Sequence, residues 1–323
     1  MSATATGVGS MPGEDMAEAV KVVLGELPDL PHLPELPDRG TIADLSGRAA
    51  AMVTGLGFDL QPAGWRLTDA PGVDHRRARS LLAQDLDTFE ELSQGYAGRL
   101  KIQVTGPWTL ASLVEKPRGD KVLSDHGARR ELAQALAEGL GDHLADVRRR
   151  VPGAEVLVQV DEPALPFVTS GSVPTASGFS RHRSVKPPEA AEALGWVFEV
   201  AGETVVAHCC ADDAPIALFR QAGAGGVSID LSVLPASAYD ELATVLDEGG
   251  RVHLGVVPSA ARTDPTTRAV VDRTRRLLDM LGHDVEEVAD QLVLTPACGL
   301  AGAHPAYARA TLRVLTEAAA ELG

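Results

Sequence analysis

Eight short apolar runs, each followed by a longer amphipathic stretch, constrain this chain more than any other feature of it. The runs lie at residues 3–10, 30–36, 100–106, 155–163, 203–210, 225–233, 251–259 and 291–299. They read as near-continuous apolar segments, the pattern of parallel strands covered on their faces by helices. The run at 30–36, "LPHLPEL", is the weak one, since its prolines suit an extended segment better than a central strand. Between the runs, residues 14–27, 75–98, 128–150, 188–202, 214–223, 237–249, 266–282 and 305–322 carry apolar residues at three- and four-residue steps, or close on glycine, as helices do. Eight strand–helix repeats in one chain predict a (β/α)8 TIM barrel. At 323 residues the chain exceeds the ~250 such a barrel needs. A single barrel domain over 1–323 therefore carries insertions, near 55–74 and 167–188. The second follows strand four directly, so it is either a lid over the active face or a surface insertion.

The formal net charge is -16. An acidic surface of this strength repels phosphate backbones and anionic membrane surfaces, which argues against both as partners. No apolar run approaches the ~20 residues of a membrane span. The first residues lack the basic start and apolar segment of a secretory signal, and the expectation is a cytoplasmic protein. Three cysteines are too few for a disulfide framework in a chain this long.

In a barrel the chemistry sits at the carboxyl ends of the strands. The unusual residues of this sequence fall there: Gly9 and Ser10 after strand one, Trp108 after strand three, Asp161 and Glu162 after strand four, His208, Cys209 and Cys210 after strand five, Asp230 after strand six, and Cys298 after strand eight. His208 and Cys210 are two apart, so in strand geometry they share a side, while Cys209 points away. With Asp230 from the neighbouring strand and Cys298 from across the rim, they offer one imidazole, two thiolates and one carboxylate. Zinc accepts that set, and two sulfurs disfavour magnesium or calcium. The alternative is two small residues ending a buried strand. Adjacent carboxylates on a strand point oppositely, so Asp161 and Glu162 divide two tasks, one binding a cationic group of the substrate and the other holding a loop. Trp108 either packs against a flat donor or caps the core. "GVGSMPG" departs from the dinucleotide-binding pattern and is better read as a tight turn offering N–H groups to a carboxylate.

The segments "GVGSMPG", "VTGPWTLA", "VQVDEPALP", "AHCC", "GVSIDLS" and "TPACGL", in that order, resemble the catalytic half of cobalamin-independent methionine synthase. The resemblance spans residues 7–302. It implies a barrel of the methionine synthase and uroporphyrinogen decarboxylase superfamily and a zinc-dependent transfer of methyl to the thiol of homocysteine. Carried over residue by residue, it implies a zinc ion on His208, Cys210, Asp230 and Cys298, homocysteine carboxylate at Gly9 and Ser10, and its amino group at the catalytic residue Asp161 and at Glu35. The sequence departs from the family in three ways. The N-terminal half that helps hold folate has no counterpart, Asp230 stands where the family has glutamate, and no histidine follows strand seven, where the family keeps its proton donor. The first and third departures imply a donor other than methyl-folate, a methylated corrinoid that is free or protein-bound. Two other readings stay open: a zinc-dependent alkyltransferase for another small thiol or donor, and a barrel that binds zinc or a thiol without turnover.

Overall fold

A computed structural model describes residues 2–323. Along the chain run β1 (Thr4–Ala5), α1 (Met16–Glu26), α2 (Leu45–Met52), β2 (Gly57–Gln61), β3 (Gly64–Thr68), α3 (Val73–Leu92), β4 (Gly98–Thr105), α4 (Pro107–Leu113), α5 (His126–Arg150), β5 (Ala154–Asp161), α6 (Leu165–Ser170), α7 (Pro187–Ala201), β6 (Val206–Cys209), α8 (Ile216–Gln221), β7 (Gly226–Asp230), α9 (Tyr239–Asp247), β8 (Arg251–Val257), α10 (Thr267–Leu281), α11 (Val285–Val288), β9 (Leu292–Pro296) and α12 (Pro305–Leu322). Seven strands form one parallel sheet in the order β1-β9-β8-β7-β6-β5-β4. The expected strand at 30–36 is not a ladder. It is an extended segment that bridges both free edges, with His32 opposite Lys101 and Glu35 opposite Ser10. Leu33 donates to the carbonyl of Lys101 and Glu35 to that of Gly9, so this segment is the eighth stave and closes the barrel. Pro31 and Pro34 have no N–H to give, which is why the seam carries bridges in place of a full ladder.

The expectation of apolar runs needs correcting in one respect: the strands alternate. Leu100, Ile102 and Val104 on β4, Val158 and Val160 on β5, Val227 and Ile229 on β7, and Leu292 and Leu294 on β9 pack into the core between sheet and helices. The residues between them point the other way. They include Lys101, Gln103, Gln159, Asp161, His208, Ser228, His253 and Thr295, all buried and all polar. Branched aliphatic side chains ordinarily fill such a barrel. Here the apolar core lies in the shell around it, and the lumen is polar.

Caps set several helix starts. The side chains of Asp15, Asp44 and Asp125 accept the N–H of Glu18, Gly47 and Ala128, and proline opens α4, α6, α7 and α12. The insertion at 55–74 holds the β2–β3 hairpin. That at 167–188 holds most of α6 and an irregular stretch closed on itself by a Pro174–Arg181 bridge. Helices α2 and α4 are additions to the sequence-based expectation. Both are buried nearly all round and carry no polar stripe to mark a period. No helix among the described residues is long and apolar enough to cross a membrane.

On α5, His143 is buried, and burial first, then the nearby Arg48 guanidinium, draw its pKa from 6.5 down to about 4. Between those values the folded chain binds fewer protons than the unfolded one. Stability is therefore full above about 6.5 and falls as the pH drops toward 4. His143→Gln should remove roughly 3 kcal/mol of that decline, read from denaturant unfolding at matched pH values. A variant whose stability falls as steeply as the parent's would refute this.

Candidate metal and thiol site

At the carboxyl ends of the strands lies a cavity of about 300 Å³. Its wall includes Gly9, Ser10, Glu35, Asp161, His208, Cys210 and Cys298. Each arrives by a different local device. Ser10 extends the line of β1, and its carbonyl accepts the N–H of Leu300, which draws the loop carrying Cys298 against it. Gly299 is needed for that approach, since a Cβ there would sit 2.0 Å from Ser10 Oγ. His208 lies on β6 in register with Asp161 of β5 and Ser228 of β7.

One potential ligand atom from each of His208, Cys210 and Cys298 lies within 4.8 Å of the others. The two sulfurs are 2.9 Å apart. Sulfurs this close oppose charging both at once, so their hydrogen bond raises the pKa of Cys210 and lowers that of Cys298. His208 Nδ1 meets Ser228 Oγ at 2.9 Å, and its Nε2 is buried without a partner. A buried ring nitrogen left bare beside two sulfurs is what a soft metal site requires, and the donor set fits zinc.

Asp230 is not gathered into this group. Its carboxylate turns onto its own loop, accepting the N–H of Ser232 at 2.8 Å and the hydroxyl of Ser232 at 2.6 Å. Aspartate readily closes such a turn. Cys209 points into the apolar shell, fully buried, and burial pushes its thiol up to about 12.

Of the two adjacent carboxylates, Asp161 faces the cavity and Glu162 faces away from it. Burial raises the pKa of Asp161. Gln159 Nε2 donates to Asp161 Oδ1 at 2.7 Å and to the carbonyl of Val8 at 2.9 Å. Lys101 Nζ reaches the same carbonyl at 2.8 Å. The pair pins the strand end that presents Gly9 and Ser10. Glu162 holds a loop: its carboxylate accepts the N–H groups of Trp108 and Thr109 and the Thr109 hydroxyl. Burial pushes its carboxyl up to about 7 against those three bonds. Trp108 is 2% exposed and donates to the carbonyl of Ala190, so it caps the core and does not face a donor. Arg48, Lys101, Gln159 and Ser228 escaped the sequence reading. The signal for Lys101, Gln159 and Ser228 was a polar residue at alternate positions of "LKIQVT", "VLVQVD" and "GVSID".

A curled parallel sheet closed by an extended stave, with an imidazole and two thiols at its carboxyl mouth, defines a (β/α)8 barrel with a candidate soft-metal site beside a small cavity. The sequence profile of the family described as "Cobalamin-independent synthase, Catalytic domain" matches residues 93–321, well over half the chain, and the chain belongs to that family. Among solved structures, a B12-independent methionine synthase from Shewanella sp. W3-18-1, in complex with selenomethionine, is 14% identical, with a TM-score of 0.65 over 100% of this chain and 98% of that one. That likeness shows the barrel fold, and it includes the stretch before residue 93 that holds Gly9, Ser10 and Glu35. A ribulose-1,5-bisphosphate carboxylase/oxygenase from Pyrococcus horikoshii OT3 is 12% identical at a TM-score of 0.40, over 100% of this chain and 58% of that one, too distant to bear on function. No curated protein matches the chain.

Proposed function

We propose that this barrel methylates the thiol of homocysteine, with zinc on His208, Cys210 and Cys298 and a methylated corrinoid as donor. The observation that carries this reading is the bare Nε2 of His208 beside two touching sulfurs, in the wall of a cavity that also holds Gly9, Ser10, Glu35 and Asp161. Asp230 would join the metal ligands by giving up its turn with Ser232.

When bound, zinc supplies the Lewis acidity that turns a weakly acidic thiol into a thiolate at neutral pH. The rest falls to the chain. Ser228 fixes the imidazole so that Nε2 faces the sulfurs. Cys210 and Cys298, both as thiolates, and His208 would hold the ion, the Cys210 proton passing to solvent. Gly9 and Ser10 take the acceptor's carboxylate, and Asp161, aimed by Gln159, takes its ammonium. That fixes the acceptor sulfur for in-line attack on the donor methyl. Breaking a carbon–cobalt bond leaves the electron pair on cobalt, so no acid is needed. This suits a lumen in which His253 lies fully buried on β8, outside the cavity wall.

Single-turnover assays with the zinc-loaded protein test the donor. Methylcobalamin should yield methionine and methyl-tetrahydrofolate should not. Turnover with the folate alone would overturn the donor. Failure of both, with zinc and homocysteine bound, would favour another alkyl donor or a barrel that binds without turnover.

A further inference from the structure

We propose that Arg48 is a positioning residue for the acceptor's amino group. It acts by fixing the carboxylate of Glu35, and the proposal rests on the reading that Glu35 meets that group. Glu35 sits on the proline-bearing stave that has only bridges to hold it. Its carboxylate therefore needs a second anchor, and the structure has one. Arg48 Nε, from α2, lies 3.1 Å from Glu35 Oε1, an ion pair outside hydrogen-bond alignment that leaves this Nε without a hydrogen-bond partner. Arg48 Nη1 lies 2.9 Å from Asp85 Oδ2, on α3. Asp85 in turn accepts both terminal nitrogens of Arg39, at 2.7 and 2.8 Å.

The four groups are two guanidiniums and two carboxylates, so the network is neutral as a whole. Its centre is sealed, with the Arg48 and Asp85 side chains 5% and 2% exposed. Glu35, at 14%, is the member that opens onto the cavity. The ion pair is made at Oε1, and Oε2 has no hydrogen-bond partner among the described residues. A carboxylate paired through one oxygen with a buried, counter-balanced guanidinium keeps one orientation. Its other oxygen is then a fixed acceptor beside Asp161. A planar fork is what allows one side chain to bridge Glu35 and Asp85, and an ammonium cannot span both.

The test is a cycle of Arg48→Lys, Glu35→Gln and the double variant, all zinc-loaded. Calorimetry measures the Kd of homocysteine and of its deamino analogue, 4-sulfanylbutanoate. Each single variant should weaken homocysteine about ten-fold. The double variant should be no worse than either single one, because both act at one oxygen. Binding of the deamino analogue should not move. Additive losses, equal losses for both ligands, or unchanged homocysteine binding in Arg48→Lys would overturn the proposal. If Arg48→Lys fails to fold, Asp85→Asn removes the same anchor from the far side and must show the same selective loss. A parent protein that binds both ligands equally overturns the amino-group reading itself, and this proposal with it.

Discussion

Cys210→Ser and Cys298→Ser each abolish stoichiometric zinc, and Cys209→Ser leaves it at parent level: that is the expected result of metal analysis on the purified variants. Partners that merely orient a ligand are worth 10–100-fold in metal affinity, so loss of a ligating thiolate should cost at least ~100-fold. Three cysteines within a few residues of one rim make this a sharp comparison. Cys210 and Cys298 touch through sulfur, whereas Cys209 is sealed in the shell with its proton held up to about 12. Serine at 209 would place a hydroxyl among apolar atoms, so it should lower stability and spare the metal. Equal zinc loss in all three would mean that the ligand set is misassigned. Asp230→Asn decides the remaining position: zinc retained at parent level would leave the ion to the three residues already clustered.

The second large effect is thermodynamic. Glu162→Ala should destabilise the fold by about 2–4 kcal/mol, seen as a lower Tm and denaturation midpoint. The residue is fully buried and serves the N–H groups of Trp108 and Thr109 and the Thr109 hydroxyl. Alanine leaves those donors dry and unpaired, and buried donors without partners are costly. Gly106 records how tightly the carboxylate is seated, since a Cβ there would meet the Glu162 carboxyl carbon at 2.4 Å. Glu162→Gln keeps the volume but puts an amide nitrogen against one of the N–H groups, so it should recover only part of the loss. Stability unchanged in the alanine variant would show that α4 does not depend on this cap.

The barrel was legible because its two signals are local. Strand runs and helical periods repeat along the chain, and the staves they predicted appear at β4 to β9 with shifts of a few residues at the ends. The mouth was legible for a related reason. In a parallel barrel every strand ends at one rim, so His208, Cys210 and Cys298 had to approach each other if the fold held. Other features were not legible because they depend on choices between near-equal local options. An aspartate two residues before a serine can bind a metal or close a turn, and the sequence of Asp230 and Ser232 suits both. Helix α2 hides because "LSGRAAAM" is buried on nearly every side. The Arg48–Asp85 pair spans two helices, and nothing in the spacing of 48 and 85 announces it.

The polar lumen has a wider consequence. Because the apolar side chains that hold the molecule together face outward to the helices, the polar side chains inside the barrel serve to tie strand ends and aim the groups at the mouth. Gln159 aims Asp161 and Ser228 holds the His208 ring, so a substitution at either buried position would reach the cavity through the residue it holds.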